Sequence, residues 1–113
     1  MPAPTGRESD GLAISPVNAG LSPEERRAAP ALFRALLAGH LLHELGEKKA
    51  GKILAAVRMA LEMEPGLRLD ALDLVDERTF LPVKKVTGPA VLVAAVYAGK
   101  TRLTDSVRFG PAD

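Results

Sequence analysis

Gly99-Lys100-Thr101 is the first place in this 113-residue chain where residue types suggest chemistry. A Gly-Lys-Thr tail closes the loop that wraps phosphates in nucleoside triphosphatases. That loop needs another glycine five positions earlier, where Ala94 stands, and a helix afterwards, where this sequence reads as strand–turn–strand. A tight hairpin turn is the better account. His40 and His43 are the only histidines, spaced so that two imidazoles could converge on a metal. No cysteine and no obvious carboxylate completes a ligand set, so they read as surface or hinge-end residues. Lys48, Lys49 and Lys52 cluster where a helix begins, opposing its dipole. A solvated face accounts for them; an anion or an acidic partner is the alternative.

Acidic residues offer less. Asp70, Asp73 and Asp76 run through a strand and its exit, Asp70 and Asp76 on one parity and Asp73 on the other. No catalytic partner accompanies them, and they read as turn and edge residues. Asp105 differs, because it interrupts the inward face formed by Leu103, Val107 and Phe109. A buried carboxylate needs a partner, and Lys100, Arg102 or a backbone donor could supply it. The chain thus contains no assignable catalytic residue.

Composition narrows the classes further. Fifteen Lys and Arg against fourteen Asp and Glu leave a net charge of +1, no electrostatic footprint for nucleic acid. One Tyr, three Phe and no Trp provide little for stacking on bases. Without cysteine, disulfide and thiolate chemistry are excluded. The opening MPAPTGRESD lacks the apolar centre of a signal peptide, and the longest apolar run, Ala90 to Ala98, is too short for a bilayer. These features imply a soluble, cytoplasmic protein with neither nucleic acid nor membrane as partner.

The elements that must position these residues divide one domain, 1–113, into four parts. Residues 1–6 form an extended lead-in, 7–21 a loop, 22–66 helices, and 67–109 a sheet. The loop delivers the chain into a strong helix start: Ser22 as N-cap, Pro23 as first helical residue, and Glu25 completing a capping box. Helix one is expected from Pro23 to about Leu45, with a kink or break at Pro30. Its seam is Leu32, Ala35, Leu36, Gly39, Leu42 and Leu45. Gly46 ends it, and helix two is expected over 47–64, burying Ile53, Leu54, Val57, Ala60 and Leu61. After Pro65-Gly66 the period changes to two. Leu67, Leu69 and Ala71 alternate with Arg68 and Asp70, and the strand continues through Leu72, Leu74 and Val75. The 76–88 connection has room for a short ribbon around Leu81 and Val83. Val91 to Tyr97 reads as a central strand covered on both sides, and 101–109 as its return. The predicted fold is α+β: an antiparallel helical hairpin packed on a small antiparallel sheet of about three strands.

The wording of the loop goes beyond this. Arg7-Glu8-x-Asp10-Gly11-Leu12-Ala13-x-Ser15-x-x-Asn18-x-x-Leu21-Ser22-Pro23-Glu24-Glu25-Arg26 closely resembles the start of the C-terminal domain of pantothenate synthetase (pantoate–β-alanine ligase). The likeness continues in order through Ala29-Pro30-Ala31-Leu32, Pro65 to Asp70, Val75-Asp76, Gly88-Pro89-Ala90, Val93-Ala94-Ala95, and Gly99 to Leu103 with Asp105. The resemblance implies the lid of an enzyme that joins pantoate to β-alanine through a pantoyl-adenylate, using ATP with magnesium. It also implies an N-terminal Rossmann-like nucleotidyltransferase domain as partner, and a family homodimer formed through that half.

Family position places ATP contacts at Gly6, Ile14, Ser15, Pro16 and Val17. Here the chain departs from the family's Ser-Ser-Arg-Asn: Pro16 replaces the second Ser and Val17 the Arg, while Asn18 remains. Ala71 likewise stands where the family has Tyr. The isolated chain is therefore expected to be inactive and to need no cofactor of its own. A degenerate lid-like module that binds a protein partner is the alternative, and an α+β domain with no retained function the plainest one.

Overall fold

The computed structural model describes residues 6–9, 11, 12 and 15–109, with backbone alone at 16 and 17. After the loop, a 3-10 turn at Pro16–Gly20 leads into three helices, α1 (Pro23–Ala28), α2 (Ala31–Glu44) and α3 (Ala50–Glu62). Three strands follow, β1 (Arg68–Asp76), β2 (Ala90–Ala98) and β3 (Thr101–Phe109), in the antiparallel order β1-β2-β3. The expected hairpin of helices on a three-stranded antiparallel sheet is the observed α+β arrangement. α2 packs on α3, β2 and β3, and α3 packs on β1.

Local chemistry explains the helix ends. Ser22 Oγ accepts from the Glu25 amide at 3.1 Å while the Ser22 amide donates to Glu25 Oε1 at 2.8 Å, the reciprocal capping box. Pro30 breaks helix one into α1 and α2, because proline lacks the amide that would continue the ladder. Gly46, at φ 108°, ends α2. Its amide donates to the His43 carbonyl and that of Glu47 to the Leu42 carbonyl, satisfying carbonyls the helix leaves over.

Helix two starts later than the spacing predicts. Lys49 is extended and bridges Lys85, the Ala50 amide donating to the Lys84 carbonyl and the Val86 amide to that of Lys48. Residues 48–50 thus spend backbone groups on a neighbouring segment, and the helix opens at Ala50. Leu45 also departs from the predicted seam: it is the cap residue of α2 and lies 85% exposed.

Even-numbered β2 residues Leu92, Ala94 and Val96 face the helices, joined by Leu69, Leu72 and Leu74 of β1 and by Leu103, Val107 and Phe109 of β3. The opposite face carries Val91, Val93, Ala95 and Tyr97, and no described element packs over it. Cover on both sides of β2 is therefore corrected to cover on one. Val91, Val93 and Tyr97 are half-buried.

A bulge between Leu69 and Ala71 alters the reading of β1 as well. Leu69 pairs with Val96 on the core face, while Ala71 pairs with Ala95 on the open face, so the two do not share a side. Asp70 is the extra residue, freed from the parity it was assigned with Asp76. Farther on, the Val83 amide donates to the Leu74 carbonyl and the Asp76 amide to that of Leu81. This is the short ribbon expected around 81–83.

Candidate functional site

Arg7, at the start of the loop, meets Asp105, near the end of the last strand, 98 residues away. Arg7 Nη1 donates to Asp105 Oδ2 at 2.5 Å and Nη2 to Oδ1 at 3.0 Å, a two-pronged ion pair. The side chains are 19% and 3% exposed. Asp105 Oδ1 also accepts from the Ser106 amide at 2.8 Å. The carboxylate flagged as needing a partner has a backbone donor on its own strand, as expected, and a charged partner from the opening loop, which was not expected. Arg102, a predicted candidate, instead pairs with Asp70 at 2.9 Å on the open face.

Three further contacts tighten this knot. Arg7 Nη1 donates to the Gly11 carbonyl at 3.1 Å. The guanidinium carbon lies 3.7 Å from the centre of the Phe33 ring, which α2 supplies. Gly11, at φ 96°, presses on the same ring, and a Cβ there would come within 2.6 Å of Phe33 Cδ2. The glycine is required by both backbone angle and space. Leu12, the next residue, is 4% exposed within the core.

From this anchor the chain reaches the corner singled out by sequence. Gly6 is exposed and Ser15 half-buried. Pro16 and Val17 lie in the 3-10 turn, which packs against β3. The Asn18 amide donates to the Ser15 carbonyl and the Leu21 amide to the Asn18 carbonyl, closing the turn. Ile14, and the side chains of Pro16 and Val17, lie outside the described residues.

The remaining candidates are placed elsewhere. Ala98 and Thr101 are paired directly, so Gly99-Lys100 is a two-residue hairpin loop, with Gly99 at φ 63°. His40 and His43 flank the ring of Phe109, His43 stacked at 4.8 Å and His40 tilted at 5.4 Å, and His40 Nε2 is 2.7 Å from Glu44 Oε1. They pack on the core rather than lying free on the surface. Among the described residues no three His, Asp or Glu side chains converge to hold a metal. Lys48, Lys49 and Lys52 are exposed, as expected. Asp76 caps its own turn, its Oδ1 accepting from the amides of Thr79 at 3.1 Å and Arg78 at 2.8 Å. These bonds, that from Thr79 first, hold its carboxyl below the ordinary value.

The open sheet face carries a shallow trough of about 450 Å³ over Ala71 and Ala95, edged by Asp73, Arg102, Thr104 and Ser106. The periodicity of β1 hid it, because the bulge is what turns Ala71 outward. The pairing of Arg7 with Asp105 was equally hidden: an inward acid and an arginine in the opening motif were both legible, but their meeting was not.

Fold and loop together define an α+β domain whose opening segment is clamped to its last strand. Comparison with known proteins makes the class specific. The family profile described as Pantoate-beta-alanine ligase matches residues 1–108. The chain belongs to that family. It is 45% identical over 107 residues to the pantothenate synthetase of Acidobacterium capsulatum, covering 95% of this chain and 36% of the relative. It is 44% identical over 111 residues to a bifunctional pantoate ligase/cytidylate kinase of a Synechococcus species, covering 98% of this chain and 21% of that protein. A crystal structure of pantothenate synthetase from Thermus thermophilus superposes with a TM-score of 0.90 at 38% identity, over 96% of this chain and 39% of that one. The chain therefore corresponds to the C-terminal domain of pantothenate synthetase and spans well under half the length of these relatives. Among the described residues, no helix is long and apolar enough to cross a membrane.

Proposed function

We propose that this chain is the lid domain of an ATP-dependent pantoate–β-alanine ligase, contributing to pantothenate synthesis only when joined to a nucleotidyltransferase domain. One observation carries the reading. The chain matches pantothenate synthetases along nearly its whole length, yet covers only 36% of the Acidobacterium enzyme and 39% of the Thermus one. Pantothenate formation consumes ATP, and the partner domain would supply most of the site for it and for its magnesium.

The donors in this chain do not by themselves fit a triphosphate. Pro16 has no amide hydrogen and Val17 no charge. Arg7, the arginine closest in sequence to the corner, has its fork committed to Asp105. Adenylyl transfer depends on fixed positive charge and hydrogen bonds around the phosphates, and losing one such contact removes about 3 kcal/mol of transition-state stabilisation. Two missing contacts leave Ser15 and Asn18 as the polar remnants of the loop. Their role is then to close over nucleotide held by the partner.

The test is an assay of pantothenate formation from pantoate, β-alanine and ATP. The chain alone should give none, and calorimetry should detect no micromolar ATP binding. Adding the nucleotidyltransferase portion of a pantothenate synthetase in trans should raise turnover, most with Pro16→Ser and Val17→Arg. Turnover by the unaided chain would overturn the reading. The Pro16-Val17 pair also favours a second reading, a module that has exchanged nucleotide for a protein contact. Capture of a defined protein other than a pantothenate synthetase domain, on the Ser15 side, would select it.

A further inference from the structure

The loop is tied to the last strand twice: at one end by Arg7 on Asp105, at the other by the 3-10 turn packed on β3. Between these ties the chain is pinned by Gly11 against Phe33 and by the burial of Leu12. The Glu8 amide also donates to the Leu12 carbonyl at 2.8 Å, and the Gly11 amide to that of Glu8 at 3.0 Å. Most of this fixing converges on the Arg7 guanidinium, which touches Asp105, Gly11 and Phe33 together.

We propose that Arg7 and Asp105 are a positioning pair: their ion pair sets the conformation of the Ser15–Gly20 turn, which neither residue belongs to. The physical reason lies in reach and rigidity. Seven residues separate Arg7 from Ser15, a length that would leave the turn free to sample many placements. Fixing the guanidinium in a planar, two-pronged bond fixes the exit direction of the chain at Gly11 and the insertion of Leu12. The turn then docks on the same strand that holds Asp105. The importance of this placement to ligase chemistry rests on the reading of the Ser15 corner given above; the placement itself does not.

Backbone order measured by 15N relaxation on the 113-residue chain tests the pair without nucleotide. The reporters are the Asn18 and Leu21 amides, which close the turn, and those of Ile53 and Val96, which sit in the core. In Asp105→Asn, order parameters at Asn18 and Leu21 should fall from about 0.85 to below about 0.6, with Ile53 and Val96 remaining near 0.85. Arg7→Lys keeps the charge but not the fork, and should give intermediate values. If Asn18 and Leu21 stay rigid in both variants, the inference is overturned and the pair organises only its own neighbourhood. If the core loses order together with the turn in both, the pair is a general structural bond, and the inference fails equally. Because no nucleotide enters the measurement, failure of the ATP reading would leave its outcome unaffected.

Discussion

Gly99 has two demands placed on it at once. Its φ of 63° is a conformation that costs an L-residue about 1–2 kcal/mol. A Cβ there would also collide with the Glu25 carboxylate, which the capping box holds in place. Gly99→Ala should therefore destabilise the chain by about 1–2 kcal/mol or more in urea denaturation, although it lies in an exposed turn. Asp76 makes a second prediction at this scale. Its carboxyl titrates lower folded than unfolded, so its stabilisation is complete above the ordinary carboxylate range. It is lost as pH falls through the depressed value. Carbon-detected titration should place its midpoint below the ordinary aspartate value, and Asp76→Asn should remove this part of the acid dependence. Both roles were half-visible in sequence. A Gly-Lys-Thr triplet and a Val75-Asp76 strand exit announce turns, but neither names Glu25 or the Thr79 amide as what the turn meets.

Among the elements, α2 is held closest to its neighbours at Gly39. A Cβ there would stand 2.6 Å from Val57 Cγ2 and 2.9 Å from Leu92 Cδ2, so α3 and β2 both press on that point. Helix propensity favours alanine over glycine by about 1 kcal/mol, while overpacking a tight core costs about 1–3 kcal/mol. Packing should win: Gly39→Ala should lower the unfolding free energy measured in denaturant, and a stabilised variant would show that the helix can shift outward freely. The helix seams were legible because their three-and-four spacing is a local property, as Leu32, Ala35 and Leu36 illustrate. Helix two began late because residues 48–50 pair with 84–86, and no local pattern reports a strand-like contact between segments so far apart. The bulge at Asp70 is similar: alternation assumes an unbroken ladder, and only pairing with β2 discloses the extra residue.

At the scale of the whole molecule, residues from all three helices, all three strands and the loop join one apolar cluster. Unfolding should therefore be a single cooperative transition. Far-UV circular dichroism, which follows the helices, and the fluorescence of Tyr97, the single tyrosine, should give coincident denaturation curves. Separated midpoints would mean that the helical layer and the sheet are distinct folding units. The same cluster explains why the sheet is asymmetric: the helices pack on one face, and the open one carries Val91, Val93 and Tyr97, the Arg102–Asp70 pair and the trough over Ala71 and Ala95.

By itself, the order of residues determined the capped start of α1, the break at Pro30, the stop at Gly46, the hairpin turn, the α+β class and the likeness to pantoate ligases, since caps, turns and periodic seams are written in neighbouring positions. It also marked Pro16 and Val17 as departures from the family's loop wording, because residue identities are chemical facts before they are structural ones. Only the tertiary structure decided that Arg7 holds Asp105, that Ala71 faces outward and that β2 is covered on one side. Each of these depends on which distant segments meet, and that is settled by the shared core rather than by any short stretch of chain.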